Sequence, residues 1–153
     1  MNKSETVEAL LDAVQKGDFE NAKTMLADEF RFSGSVPEPL DANAWFDMSA
    51  SWKAAFPDLD YHFIVIGAEQ DVVRSTAQLS GTHTGDFDLT NIDIGVIPAT
   101  HKSFAARLQK TRITVQDGKI TSWAFEPTEG AGLLAILQQL DVYITDLIVV
   151  RKV

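Results

Sequence analysis

The sequence predicts an α+β layer fold, with three N-terminal helices packed on a curved, mainly antiparallel sheet. Three observations carry this. Apolar residues recur at helical spacing from Val7 to Phe56. Beyond Pro57 the chain turns to β-branched and aromatic residues, which favour a pleated, half-buried surface. Asp117-Gly118 stands between two strand-like runs, a strong signal for a tight β-hairpin. Helices followed by strands, rather than alternating with them, collect in a separate layer. The concave interior left between the layers is where a small apolar ligand can bind.

The elements follow in order. Val7, Leu10, Leu11 and Val14 mark the first helix, which Gly17 ends. Asp18 can cap a second helix, whose apolar face is Phe19, Ala22, Met25 and Leu26. "RFSGSVPEPLD" reads as a connection. Asp41 can cap a third helix with Trp45, Met48, Ser49, Trp52 and Phe56 along one side, and Pro57 ends it. Strands are expected at 61–68 and 72–83, joined by a turn at "EQD". A long loop over 84–102 follows. A long strand is expected at 103–116, and its hairpin partner at 119–126. Phe104, Ala106 and Leu108 share one parity while Ile113 and Val115 share the other, so a β-bulge is expected near Gln109–Lys110. Leu133, Leu134, Leu137 and Leu140 suggest a short last helix, and the tail after Asp141 an added strand or a cover for a partner.

The chain has 153 residues with no repeat or linker, so residues 1–153 read as one domain. The 45% hydrophobic and 23% charged fractions are those of a soluble globular protein. A net charge of −9 argues against nucleic acid or an anionic membrane as partner, since both require clustered Lys and Arg. The absence of cysteine rules out disulfides, thiol catalysis and Cys-based zinc sites. No secretory h-region opens the chain and no run of about 18 apolar residues exists, so a cytoplasmic protein is expected.

His62, His83 and His101 lack the spacing of a local metal site, and "GDFDLTNID" lacks the ligand order of a calcium loop. No phosphate-binding glycine motif is present. Neither a metal nor a cofactor is therefore expected. His83 lies in "SGTHTGDF" at a strand end. There it can polarise a carbonyl or relay a proton, or it can be satisfied by its neighbours and pin the long loop. Trp45, Trp52, Phe56 and Trp123 are candidate pocket walls or core. Arg74, Arg107, Gln109 and Arg112 lie in the expected strands. An inward Arg would orient a carbonyl-rich or anionic ligand, and an outward one would be solvated or face a partner.

"FPDLDYHFIVIGAEQDVVRSTAQLSGTHTGDF", "IPATHKSF", "ITVQDGKITSWAF" and "LLAILQQL", in that order and spacing, resemble the SnoaL-like polyketide cyclase family of the NTF2-like superfamily. The resemblance runs from about Trp45 to Leu140, and "TEGAGLLAILQQL" is similar to an ester cyclase-like branch. It implies a cone-shaped α+β barrel that forms a homodimer. It also implies cofactor-independent ring closure by an intramolecular aldol reaction, with an Asp after the last strand as general acid/base. In this chain Trp123 is followed by "AFEPTE", which contains no Asp. His101 and Asp141 stand where the family pattern has Gly.

An aldol step needs a base beside the carbonyl and donors for the enolate oxygen, and a well-matched base contributes about 10²–10⁴-fold. Glu126, three residues after Trp123, is the first candidate, since burial beside Trp123 and Phe125 would raise its pKa. Its alternative is a solvated strand end. Glu129, three residues before Gly132-Leu133-Leu134, is a further candidate and otherwise an exposed or helix-capping acid. Two functions stand side by side. One is a cyclase, isomerase or lyase acting on a small, largely apolar carbonyl compound, with Glu126 and His83 catalytic. The other is a non-catalytic ligand-binding or dimeric interaction module.

Overall fold

Helix-capping residues start the first three helices, and Asp18 and Asp41 do so where the sequence places them. The structure, a computed structural model, describes residues 2–90 and 93–143. Helix α1 (Lys3–Lys16) opens on a capping box between Asn2 and Glu5 and stops at Gly17. Asp18 caps α2 (Phe19–Thr24), and Asp41 caps α3 (Ala42–Ala55) by accepting from the Ala44 N–H at 2.8 Å. Their apolar faces bury Val7, Leu10, Leu11 and Val14 from α1, Phe19 and Ala22 from α2, and Trp45 and Met48 from α3.

The second helix is shorter than the sequence suggests. It ends at Thr24, and strand β1 (Leu26–Ser33) takes over, so Leu26 and "RF" belong to a strand rather than to a helix and a connection. β1 buries Leu26, Phe30 and Phe32 and pairs in parallel with the far end of the chain. That partner is about ninety residues away in sequence, and the register shifts between Leu26 and Arg31, so no regular alternation marks the strand locally.

The main sheet holds β2 (Ile64–Glu69), β3 (Val72–Ala77), β8 (Gln109–Gln116) and β9 (Lys119–Phe125) in the order β1-β9-β8-β3-β2. All neighbours except β1 and β9 are antiparallel. Asp117 and Gly118 turn β8 into β9 with φ of 51° and 76°, a pair of left-handed residues that a tight hairpin needs. β2 starts at Ile64 rather than Tyr61, because His62 takes φ 48° and breaks the extended run.

Two expected long strands are each split. The run 72–83 divides into β3 and β4 (Ser80–Thr82), and the run 103–116 into β7 (Ser103–Ala105) and β8. β4 and β7 pair with each other, away from the main sheet. The parity switch read in the sequence lies at the break over 106–108. No bulge occurs at Gln109–Lys110, where β3 and β8 pair without interruption from Val72↔Thr114 to Ala77↔Gln109. The expected loop holds a small hairpin, β5 (Phe87–Leu89) with β6 (Gly95–Ile97). Helix α4 (Leu133–Gln139) closes the described chain. Most of the tail lies outside the described residues.

Two apolar clusters result. The first joins α1, α2 and α3 to the inner face of the main sheet. The second joins the end of α3 to β5, β6, β7 and α4. No helix among the described residues is long and apolar enough to cross a membrane.

Candidate ligand-binding site

A cavity lies where the two clusters meet. Phe32, Trp45, Met48, Trp123 and Phe125 come to its wall from the first cluster, and Leu89, Ala106 and Ile136 from the second. Trp52 and Tyr61 pack against both clusters and line the cavity as well. The space open to the centre of a water-sized sphere is about 60 Å³. That suits a few waters or a compact ring system.

Strand and helix register aim these residues. On β9, Trp123 lies between Ile113 of β8 and Phe32 of β1, and strand alternation turns all three side chains to the interior. Its ring packs edge-on against Phe32 (centroids 5.6 Å apart, planes at 82°) and 6.2 Å from Trp45. Trp45, Met48, Ser49 and Trp52 face the cavity at helical spacing along α3. Gln109 begins β8 and is buried, and its amide donates a long hydrogen bond of 3.4 Å to the Glu126 backbone carbonyl.

The polar groups on the wall are neutral. They are the hydroxyls of Ser35, Ser49 and Tyr61, the Gln109 amide and the indoles of Trp45, Trp52 and Trp123. Desolvation pushes the Tyr61 phenol well above its usual range, so it stays protonated and able to donate. The Trp123 indole nitrogen is buried and has no hydrogen-bond partner among the described residues.

Of the residues singled out from sequence, the structure brings Trp45, Trp52, Gln109 and Trp123 together around this cavity. Glu126 and Glu129 are exposed and do not line it. β9 ends on buried Phe125, and the next residue already faces water, so the burial expected to raise the Glu126 pKa is not there. Arg74, Arg107 and Arg112 are also exposed. Arg74 and Arg112 are Cα partners on the outer face of the sheet, and the Arg107 side chain lies against Gly130 in the loop before α4.

Phe56 and His83 belong to the second cluster instead. His83 is fully buried, and its ring lies 5.3 Å from that of Phe56 and 6.3 Å from that of Phe87. The Thr100 backbone N–H donates to its Nδ1 at 3.2 Å, which assigns the ring proton to Nε2. Burial pushes its pKa down; Asp86 and the backbone of Gly85 and Ile97 oppose this, and His101 reinforces it. Its backbone N–H donates to Lys102 and its carbonyl accepts from His101, so the residue pins the long loop.

The neighbouring residues act likewise. The Thr82 N–H donates to Asp58 at 2.8 Å, linking "GTH" to "FPD" and holding the Asp58 carboxyl below its usual range. The Thr84 and Gly85 N–H groups both donate to the Ala55 carbonyl at 3.1 Å. A Cβ at Gly85 would lie 2.1 Å from the Ala54 carbonyl oxygen, so only glycine permits this approach.

Sequence reasoning missed Tyr61, Phe32 and Leu79 as wall residues. The sequence puts Tyr61 within an expected strand and Phe32 within an expected connection, and neither shows which way a side chain turns.

A family model described as SnoaL-like polyketide cyclase matches residues 4–140. The chain belongs to the SnoaL-like polyketide cyclase family. Solved structures share the fold. IdmH, a candidate polyketide cyclase from Streptomyces antibioticus, is 21% identical with a TM-score of 0.68, over 93% of this chain and 100% of that one. AclR, a candidate hydroxylase from Streptomyces galilaeus, is 17% identical with a TM-score of 0.69, over 91% and 95%. A protein from Catenulispora acidiphila with a ketosteroid isomerase-like fold, solved with trimethylamine, is 16% identical with a TM-score of 0.65, over 92% and 95%. No protein of curated function matches this SnoaL-like chain in sequence.

Proposed function

We propose that this SnoaL-like protein binds a small, largely apolar carbonyl compound in the aromatic cavity, and that holding the ligand outweighs carboxylate-driven ring closure. One observation carries the reading. Among the described residues, the cavity wall holds three tryptophans and a set of neutral donors but no Asp, Glu, His, Lys or Arg. Apolar walls with few convergent polar groups favour a ligand with one polar feature on a hydrophobic body.

A catalytic role, as a cofactor-independent cyclase or isomerase, is the second reading, and Tyr61 is the observation that favours it. A phenol kept neutral against the cavity can donate to a developing enolate oxygen. The exposed Glu126 and Glu129 give that reading no base at the cavity.

The test is calorimetric titration of the full chain with ethylbenzene and acetophenone, with tryptophan fluorescence in parallel. Saturable one-to-one binding that quenches tryptophan fluorescence is expected. Absence of saturable binding for both rings refutes the cavity as a ligand site. Loss of turnover of a carbonyl substrate in Tyr61→Phe, with its affinity retained, would decide for the catalytic reading.

A further inference from the structure

We propose that the outer face of the main sheet docks an acidic, partly apolar segment of another protein, with Arg74 and Arg112 at the centre of the contact. This face lies opposite the cavity wall, and its role is independent of any ligand held there.

Strand register builds the face. Val73, Ser75 and Ile113 are buried on the inner side, so their neighbours Arg74 and Arg112 turn outward. The two arginines are Cα partners across β3 and β8, and both are exposed. Their row runs on through Ala124 of β9 to Ser33 of β1, and on the other side to Gly67 of β2. A Cβ at Gly67 would lie 3.8 Å from Arg74 Nη2, so the guanidinium reaches over β2. Small residues at Gly67, Ala124 and Ser33 leave the arginines standing above a shallow track. In the next row Lys110 is exposed beside Thr76, and Thr76 beside Ile64. Ile64 is 61% exposed, and Ile66, at the irregularity in the β2–β3 pairing, 57%. The first three helices pack on the inner side, so the outer face is bare among the described residues.

The charge of this face is unbalanced. Like charges directly opposite each other on a sheet repel. Among the described residues, none of Arg74, Lys110 and Arg112 makes an ion pair with a carboxylate. The Glu126 N–H donates to the Lys110 carbonyl, yet the two side chains form no ion pair either. In a chain with 22 acidic and 13 basic residues, this is a local reversal of charge. Carboxylates from a partner supply the missing counter-charge, and the planar guanidinium matches their geometry. Ile64 and Ile66 offer apolar contact that an inorganic anion or a nucleic-acid phosphate does not use. A second copy presenting the same face would set arginines against arginines, which charge opposes. The overall charge of −9 repels an acidic partner only at long range, and salt screens it beyond about 8 Å at physiological ionic strength.

The competing arrangement leaves these cations solvated, doing no more than lowering the net negative charge.

Fluorescence anisotropy separates the two. The probe is a short labelled peptide of alternating glutamate and leucine, titrated with the full chain at physiological ionic strength. Oligoglutamate and an alternating serine–leucine peptide of the same length test charge alone and apolar contact alone. The glutamate–leucine peptide should bind saturably, and both controls should bind more weakly. Arg74→Glu combined with Arg112→Glu should weaken it by about tenfold or more, because carboxylates then face carboxylates. Ile64→Ser should weaken it about 2- to 10-fold. All three side chains are exposed, so the variants should keep the thermal melt of the parent chain.

No saturable binding up to about 1 mM peptide overturns the docking site. Unchanged affinity in the double charge reversal overturns the role of the arginines and leaves them solvated. Oligoglutamate binding as tightly as the glutamate–leucine peptide overturns the apolar part of the partner. If the parent chain sediments as a dimer that the charge reversal dissociates, the face belongs to a second copy and the acidic partner falls.

Discussion

Trp123 and His83 each bury a ring nitrogen that finds no hydrogen-bond partner among the described residues, yet their surroundings differ. Trp123 lies against a cavity, in a wall whose other polar groups are all neutral. His83 packs against the second cluster, flanked by Phe56 and Phe87, with its other ring nitrogen and both backbone groups engaged in holding the loop. The histidine resembles a catalytic residue from its neighbours in sequence, and the tryptophan resembles core. The structure puts the tryptophan ring in the cavity wall and the histidine in the framework. Neither nitrogen is itself open to water, so its being unpaired marks neither as a ligand contact.

Four experiments bear on this contrast, beginning with the largest effect. Phe56→Ala empties the ring site beside His83, where Phe56 is fully buried. It should cost about 3–5 kcal/mol and lower Tm by about 6–20 °C in a thermal melt. A loss under about 1 kcal/mol would show that the second cluster is not filled, and the contrast with the cavity would collapse.

Gly85→Ala forces a methyl group toward the Ala54 carbonyl at the end of α3. A lower urea midpoint is expected, by about 1–3 kcal/mol, with ligand affinity retained. If ligand affinity falls instead, the loop and the cavity are coupled rather than separate.

The pH dependence of stability tests His83 directly. Its folded pKa lies below the ordinary 6.5 of the unfolded chain, mainly through burial. The unfolded state therefore binds the proton first. The stability from the neutral ring is intact above about pH 6.5 and declines as pH falls from there toward the folded pKa. Urea midpoints from pH 8 to 5 should show that decline, and His83→Gln should flatten it. An unchanged slope in the variant would place the proton uptake elsewhere.

The smallest effect is expected from Glu126→Gln and Glu129→Gln. Both side chains are exposed, so stability should stay within about 0.5 kcal/mol and acetophenone affinity should be unchanged. A clear loss of affinity in either variant would return a carboxylate to the ligand site.

Much of the fold was legible because its signals are local. Asp18 and Asp41 cap helices with their own side chains, and Asp117-Gly118 takes the positive φ its turn requires. The family was legible for a related reason. "FPD" and "GTHTG" are joined through Asp58 and Thr82, so the fold needs both together. The site was less legible, because most family marks near it serve the framework. Gln109 and the tryptophans were named as candidates, but nothing beside Glu126 in sequence reveals that β9 turns to water one residue after Phe125.

By itself the sequence determined where α2 and α3 begin, where α1 and α3 end, where the hairpin turns, and to which family the chain belongs. Each of these depends on the conformation of a few adjacent residues or on the order of short motifs. Tertiary structure decided the parallel pairing of β1 with β9, the split of both long strands, and the cavity where the two clusters meet. These outcomes depend on which distant segments meet, and neither segment by itself names a partner about ninety residues away.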